Sequence, residues 1–300
     1  MSARDKLGPY ALEFYRGEHC NFMPKSDVIV ADDPTTEEHI LYGWTPDKPF
    51  ITKEHKVLAF GSCFADEVQN YLRKRQYNIP PIDKCSVTKC GAGMVNTYTI
   101  RQQFEWAYDE SSSENPDDVW HFDPAIPPAW QLKKDKQITR ELFDTTDVFI
   151  ITLGLSEVWY EKATGYVFWK AISSEIFDEE KHGFRVTTVE ENKQNLSRII
   201  ELIKKYNPKA TIVLTVSPVG LKATFRPVSC ITANCVSKSV LRVAIDELIR
   251  DGNQSNVFYW PSYEIITASH THQFEADHRH PKRESVERIM RLFHKYFLTE

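Results

Sequence analysis

The sequence has no CxxC pair, no block of lysine or arginine, and no apolar run approaching the length of a membrane span. Each absence narrows the function. Six cysteines (Cys20, Cys63, Cys85, Cys90, Cys230, Cys235) are scattered over 300 residues, which suits reduced thiols in a cytoplasmic protein. The formal charge of −5 is mild and the basic residues are spread along the chain, so nucleic acid is not an expected partner. Met1-Ser2-Ala3-Arg4-Asp5-Lys6 leads into no apolar run, so no signal peptide is expected. The glycine pair in Gly91-Ala92-Gly93-Met94-Val95-Asn96 lacks a third glycine, because Asn96 stands in its place. That excludes a dinucleotide fingerprint.

What is present suits a folded enzyme-sized domain. Apolar residues make up 41% and aromatics 12% of the chain, well outside the range of disordered sequences. Residues 1–50 lack periodicity and read as an irregular arm, with one α/β domain over 51–300. Four short apolar runs, at Val57–Phe60, Asp147–Leu153, Thr211–Val216 and Val257–Trp260, read as buried strands. Helical spacing follows at Phe64–Arg75, Thr97–Tyr108, Ile138–Thr145, Val186–Tyr206, Ser237–Arg250 and Pro281–Phe297. Between these, residues near 111–130 read as a loop insertion and those near 158–170 as a hairpin around Thr164-Gly165. Strands that are apolar throughout, alternating with helices, predict a three-layer α/β/α sandwich around a mainly parallel, flavodoxin-like sheet. Ligands of such sheets sit beyond the carboxyl ends of the strands.

The chemistry-bearing residues fall at those ends. Val57-Leu58-Ala59-Phe60 runs into Gly61-Ser62-Cys63 and then directly into a helix. A nucleophile there meets the unpaired N–H groups and positive end of the helix, which favour a thiolate or an oxyanion. Ser62 and Cys63 are the two candidates; the plainer alternative is a small-residue turn with an inert cysteine. Asp277-His278-Arg279-His280-Pro281 precedes the last helix. Its D-x-x-H spacing lets Asp277 hold one ring nitrogen of His280, leaving the other as general base.

These blocks resemble the GSCFA family, a branch of the SGNH (GDSL-like) hydrolase superfamily. The resemblance is carried by Gly61-Ser62-Cys63-Phe64-Ala65, Gly93…Asn96, Thr152-Leu153-Gly154-Leu155-Ser156-Glu157-Val158-Trp159, Val216-Ser217-Pro218-Val219, Ser237-Lys238, Tyr259-Trp260-Pro261-Ser262-Tyr263-Glu264 and Asp277-x-x-His280-Pro281. It implies an SGNH-like fold and an acyl-ester hydrolase or O-acyltransferase acting on an acylated carbohydrate or glycoconjugate. Cys63 falls at the place of the superfamily's nucleophilic serine, and Ser62 at that of its aspartate. Gly93 is the implied backbone donor to the oxyanion, and Ser156 replaces the usual asparagine donor. Asp277 and His280 match without change. Asn96, Glu157 and Trp159 are expected on the substrate side. No cofactor or metal is implied, beyond acyl-CoA as donor if the reaction is a transfer. The expected partner is a small-molecule or glycan ester.

Two other readings remain at this point. His270-Thr271-His272 and Asp277-His278-x-His280 bring four imidazoles and a carboxylate into one loop, a ligand set that suits a zinc-dependent hydrolase. The departures G-S-C and G-L-S-E from the superfamily pattern suit a non-catalytic carbohydrate-binding module. The aromatics Trp159, Tyr160, Tyr166, Phe168 and Trp169 serve a sugar-stacking surface or plain core packing.

Overall fold

The computed structural model describes residues 21, 23–24, 32–80, 94–111, 129–169, 171–252, 256–268 and 272–299. In chain order, β1 (Val57–Gly61) is followed by α1 (Phe64–Lys74), α2 (Thr97–Ala107), α3 (Ala129–Asp144) and β2 (Val148–Leu153). Then come β3 (Glu157–Glu161), β4 (His182–Val186), α4 (Val189–Tyr206), β5 (Thr211–Val216) and α5 (Cys230–Arg250). The chain finishes with β6 (Val257–Tyr259), α6 (Ser262–Thr267) and α7 (Arg283–Phe297). The four apolar runs form one parallel sheet in the order β1-β2-β5-β6. Among the described residues, no helix is long and apolar enough to cross a membrane.

Side chains of a strand alternate between faces, and both faces here are covered. Leu58, Phe60, Phe149, Ile151, Ile212 and Leu214 pack with residues of α2, α3, α4 and α5. Their neighbours Val57, Ala59, Val148, Ile150 and Val213 pack with residues of α1, α6 and α7. The result is the expected three-layer sandwich. On the first face Phe104 of α2 stacks on Phe143 of α3 with centroids 4.2 Å apart, and both are fully buried. Truncating either ring to alanine costs about 3–5 kcal/mol.

The helix that follows β1 shows how the sequence aims the site. Phe64, Val68 and Leu72 repeat every fourth residue and form its buried face. Asp66 and Glu67 occupy its first turn, Arg73 and Lys74 its last, each suited to the helix dipole there. Buried Gln69 donates to the Ala59 carbonyl of β1 at 2.6 Å, so helix and strand are tied just below the turn.

Several boundaries differ from those read in the sequence. α3 begins at Ala129 and α5 at Cys230, and the short α6 was not expected. For α5 the reason is exposure: Ile231 and Val236 face solvent, so its first turns carry no apolar stripe, while Ser229 caps it through Ile231 N–H. α4 is capped by Thr188, paired with Glu191 in a reciprocal capping box. The segment near 158–170 does fold back, through a Tyr160–Val167 bridge. The full antiparallel partner of β3, however, is β4, with Trp159 opposite Phe184. The loop insertion near 111–130 lies outside the described residues apart from Ser111 and the start of α3, as does most of the arm.

The end of the chain closes on the segment before β1. Ile51 and Leu298 form a parallel bridge, Thr299 N–H donates to the Ile51 carbonyl at 2.8 Å, and the Tyr77 hydroxyl donates to the Thr299 carbonyl at 2.6 Å.

Candidate active site

At the end of β1, Gly61 adopts φ +124°, a conformation that side-chain-bearing residues rarely take. A Cβ there would run into the Thr152 carbonyl of β2. Glycine therefore lets the turn leave the sheet flush against its neighbour. Ser62 follows, only 6% exposed. Its N–H donates to Thr152 O at 2.9 Å, and its Oγ shares a hydrogen bond with Thr152 Oγ1, also at 2.9 Å. Cys63 is the N-cap of α1, is partly exposed, and carries a free thiol. The two candidates thus differ in commitment: the Ser62 hydroxyl faces the sheet, and the Cys63 thiol has no hydrogen-bond partner among the described residues.

At the end of β2, the N–H of Gly154 donates to Val95 O at 2.7 Å. This seats the 94–96 segment on the G-L-S-E turn, and a Cβ on Gly154 would press on Val95. Asn96 caps α2, accepting from the Thr99 N–H at 3.0 Å, so its side-chain oxygen is engaged locally. Ser156 is fully buried. Its N–H donates to Ser237 Oγ at 2.6 Å, and its hydroxyl to the same atom at 3.3 Å. Glu157 is buried too, accepting from Thr224 Oγ1 at 3.0 Å with the Arg226 guanidinium 3.8 Å away. Burial raises its pKa above the usual carboxylate value, against the lowering effect of Thr224 and Arg226.

At the end of β5, the chain from Ser217 to Leu221 meets the D-x-x-H loop. Arg279 donates through Nε to Leu221 O at 3.1 Å, and Gly220 N–H donates to Arg279 O at 3.2 Å. Within that loop Asp277 Oδ1 accepts the N–H groups of Arg279 and His280, each at 3.0 Å. Its Oδ2 lies 2.5 Å from His280 Nδ1. The His280 N–H first, then that of Arg279, then the imidazole hold the Asp277 carboxyl well below the usual carboxylate range. An ionised carboxylate has no proton to give, so Nδ1 carries the hydrogen, and in the neutral ring the lone pair falls on Nε2. Among the described residues no hydrogen bond joins His280 to Ser62 or Cys63. β1 and β5 flank β2, so their ends are about 10 Å apart at two strand spacings.

A model of the GSCFA family matches residues 56–293. The chain belongs to the GSCFA family. No curated protein matches it. Among solved structures it is similar to a carbohydrate esterase family 3 protein from Talaromyces cellulolyticus, at 10% identity and TM-score 0.38, covering 78% of this chain and 92% of that one. An acetyl esterase mutant with acetate ion matches at 11% identity and TM-score 0.36, over 78% and 92% of the two chains. An acetyl xylan esterase, Est2A, from Butyrivibrio proteoclasticus matches at 16% identity and TM-score 0.30, over 80% and 64%.

The GSCFA chain also places at this end of the sheet a residue to which sequence reasoning gave no role. Lys238 of α5 is 1% exposed, and its Nζ donates to Gly154 O at 2.6 Å and to Val219 O at 2.8 Å. It ties the turn after β2 to the turn after β5, and burial pushes its pKa down to about 7. Its presence in the block Ser237-Lys238 was the one signal available. Trp159 sits among Phe177, Phe184 and Phe225 with centroids 5.7, 5.1 and 4.9 Å away. Gly93 and His270 lie outside the described residues. His272 and His278 meet ring to ring at 5.7 Å. Among the described residues, no group of three His, Cys, Asp or Glu side chains is placed to hold a metal.

Proposed function

We propose that this GSCFA protein is an esterase or O-acyltransferase for acylated carbohydrates, working through Cys63, His280 and Asp277. The observation that carries the reading is the Asp277–His280 contact of 2.5 Å, with both neighbouring backbone N–H groups on the same carboxylate. That arrangement fixes the tautomer a general base needs. The free thiol at the N-cap of α1 supports Cys63 over Ser62, whose hydroxyl is taken by Thr152.

In the proposed reaction His280 Nε2 takes the Cys63 thiol proton as sulfur attacks the ester carbonyl. The carbon–oxygen ester bond then breaks, and the imidazolium returns that proton to the departing sugar oxygen. The acyl-thioester left on Cys63 is attacked by water, or by a hydroxyl of a second sugar, deprotonated by the same imidazole; the carbon–sulfur bond breaks and the imidazolium returns its proton to the Cys63 sulfur. Asp277 compensates the imidazolium in both halves. The N–H groups of the first turn of α1 favour the charge that develops nearby. Gly93 and Ser156 are the further oxyanion donors implied by the resemblance; for Ser156 this requires its hydroxyl to turn from Ser237. The carbohydrate half of the reading is supported by the resemblance and by Phe177 and Phe225, 46% and 56% exposed around Trp159, faces suited to sugar rings. Free thiols at Cys63, Cys230 and Cys235 are in keeping with a cytoplasmic setting.

Mass spectrometry of the intact protein after p-nitrophenyl acetate tests the proposal. We expect one acetyl adduct, mapped to Cys63 and absent in Cys63→Ala, whose turnover is lost; Ser62→Ala retains the adduct and loses a smaller factor in rate. An adduct on Ser62 that survives Cys63→Ala shifts the nucleophile by one residue. Turnover unaffected by either change overturns the site.

A further inference from the structure

Between the 272–273 segment and the first turns of α7, a pocket of about 610 Å³ opens. It is lined by His272, Lys282, Glu284, Ser285, Arg288 and Arg291 among others. Arg288 is the unusual member. It is 5% exposed, yet only its Nη2 is engaged, donating to Ile265 O at 3.1 Å and Gln273 Oε1 at 3.3 Å. Its Nε and Nη1 are sealed from solvent and have no acceptor among the described residues. A buried guanidinium with donors left open is costly, and an ion or a water is the kind of partner that completes it.

The surroundings favour an anion. Among the lining charges, Arg291 is held by the Asp33 carboxylate at 2.8 Å and Glu287 by Arg283 at 3.0 Å. That leaves Lys282 and Arg288 against Glu284. The wall is also the first turn of α7, whose N-cap is Lys282 and which has no side-chain cap; the Ser285 and Val286 N–H groups bond to Lys282 O, so the N–H groups of Arg283 and Glu284 are the ones that face outward. Its first N–H groups therefore add positive potential at the same place. Burial and the neighbouring Arg291 both oppose the charge on Arg288, which Asp33 and Asp32 only partly offset.

We propose that this pocket is an anion-binding site, taking the carboxylate or phosphate group of a small molecule on Arg288, Lys282 and the open first turn of α7. A small turn of the guanidinium brings Nε or Nη1 onto the anion's oxygen. The site stands apart from the ester chemistry and does not depend on it. It nevertheless shares a loop with it: Lys282 N–H donates to Gln273 O at 2.8 Å, and Glu275 N–H to His280 O at 2.8 Å. A bound anion braces both ends of the segment that carries Asp277 and His280.

Isothermal calorimetry with the full chain tests this, using inorganic phosphate and acetate as probes against sodium chloride at matched ionic strength. Phosphate or acetate binds the wild type with one-site saturation; the probe that binds tighter identifies the phosphate-bearing or the carboxylate-bearing source. Arg288→Met weakens that binding by at least about tenfold, the effect of removing a charged hydrogen-bond donor. Lys282→Ala, a change at a half-exposed residue that leaves the buried network whole, weakens it by about threefold or more, so the test survives if Arg288→Met fails to fold. Arg250→Gln, a surface arginine paired with Asp246, leaves binding unchanged. Chloride giving the same heats, or Lys282→Ala and a folded Arg288→Met binding like wild type, overturns the site.

Discussion

Replacing Lys238 by methionine tests the buried link between the two strand-end turns. Methionine is close to lysine in length and keeps the packing, so what is lost is the pair of hydrogen bonds to Gly154 O and Val219 O. With neutral wild-type amine as reference, leaving two buried carbonyls without donors costs about 2–5 kcal/mol. The pH dependence is sharper than the size. Lys238 has its folded pKa pushed down to about 7, against about 10.4 for an unfolded lysine. Between those values the unfolded chain holds a proton that the folded chain has released, so wild-type stability from this group rises with pH. The variant has no such term. The gap between wild type and Lys238→Met therefore widens from pH 6 to pH 9 by about 2–3 kcal/mol, at about 1.4 kcal/mol per pH unit above the folded pKa. In melting temperature that is a widening of about 5 °C for a domain of this size. Circular dichroism melts of both proteins at pH 6, 7.5 and 9, at one ionic strength, read it directly. An equal gap at all three refutes the idea that burial penalises the ammonium; a gap that shrinks with pH means that Lys238 works as a charged anchor.

Two further outcomes follow from the site geometry. Asp277→Asn keeps an acceptor for the Arg279 and His280 N–H groups and loses the charge beside Nδ1, so ester turnover falls by about 10²–10⁴; because the carboxylate's folded pKa is lowered, its charge stabilises the fold at neutral pH, and the variant melts lower there by a gap that closes as the pH falls into the acid range; full activity would remove Asp277 from the mechanism. Gly61→Ala puts a methyl group into the Thr152 carbonyl at a positive φ, a cost of more than about 4 kcal/mol, and urea denaturation showing less than about 1 kcal/mol would mean the turn can move aside.

The sheet was legible because each strand is apolar on both faces, and a run such as Phe149-Ile150-Ile151 has nowhere to go but the middle of a sandwich. The D-x-x-H pair was legible because it is local: Asp277 and His280 are three residues apart and need no tertiary knowledge to meet. What escaped the reading is long-range or faces water. Ser156 meets Ser237 across 81 positions and Lys238 meets Gly154 across 84, and nothing in the local sequence marks either pairing. β4 escaped because His182-Gly183-Phe184-Arg185-Val186 has no clean alternation, and its register is set by β3. The orphaned donors of Arg288 are invisible in sequence, where it is one arginine among several on α7.

The stitch between Ile51 and residues 297–299 has a consequence for the order of assembly. Thr299 and Ile51 are 248 positions apart, so closing that loop in an unfolded chain would cost about 5 kcal/mol in entropy before any contact repaid it. Once the sheet and α7 are in place the ends already lie side by side, and the same contacts form almost free of that cost. The seam thus closes after the sheet and α7 are in place.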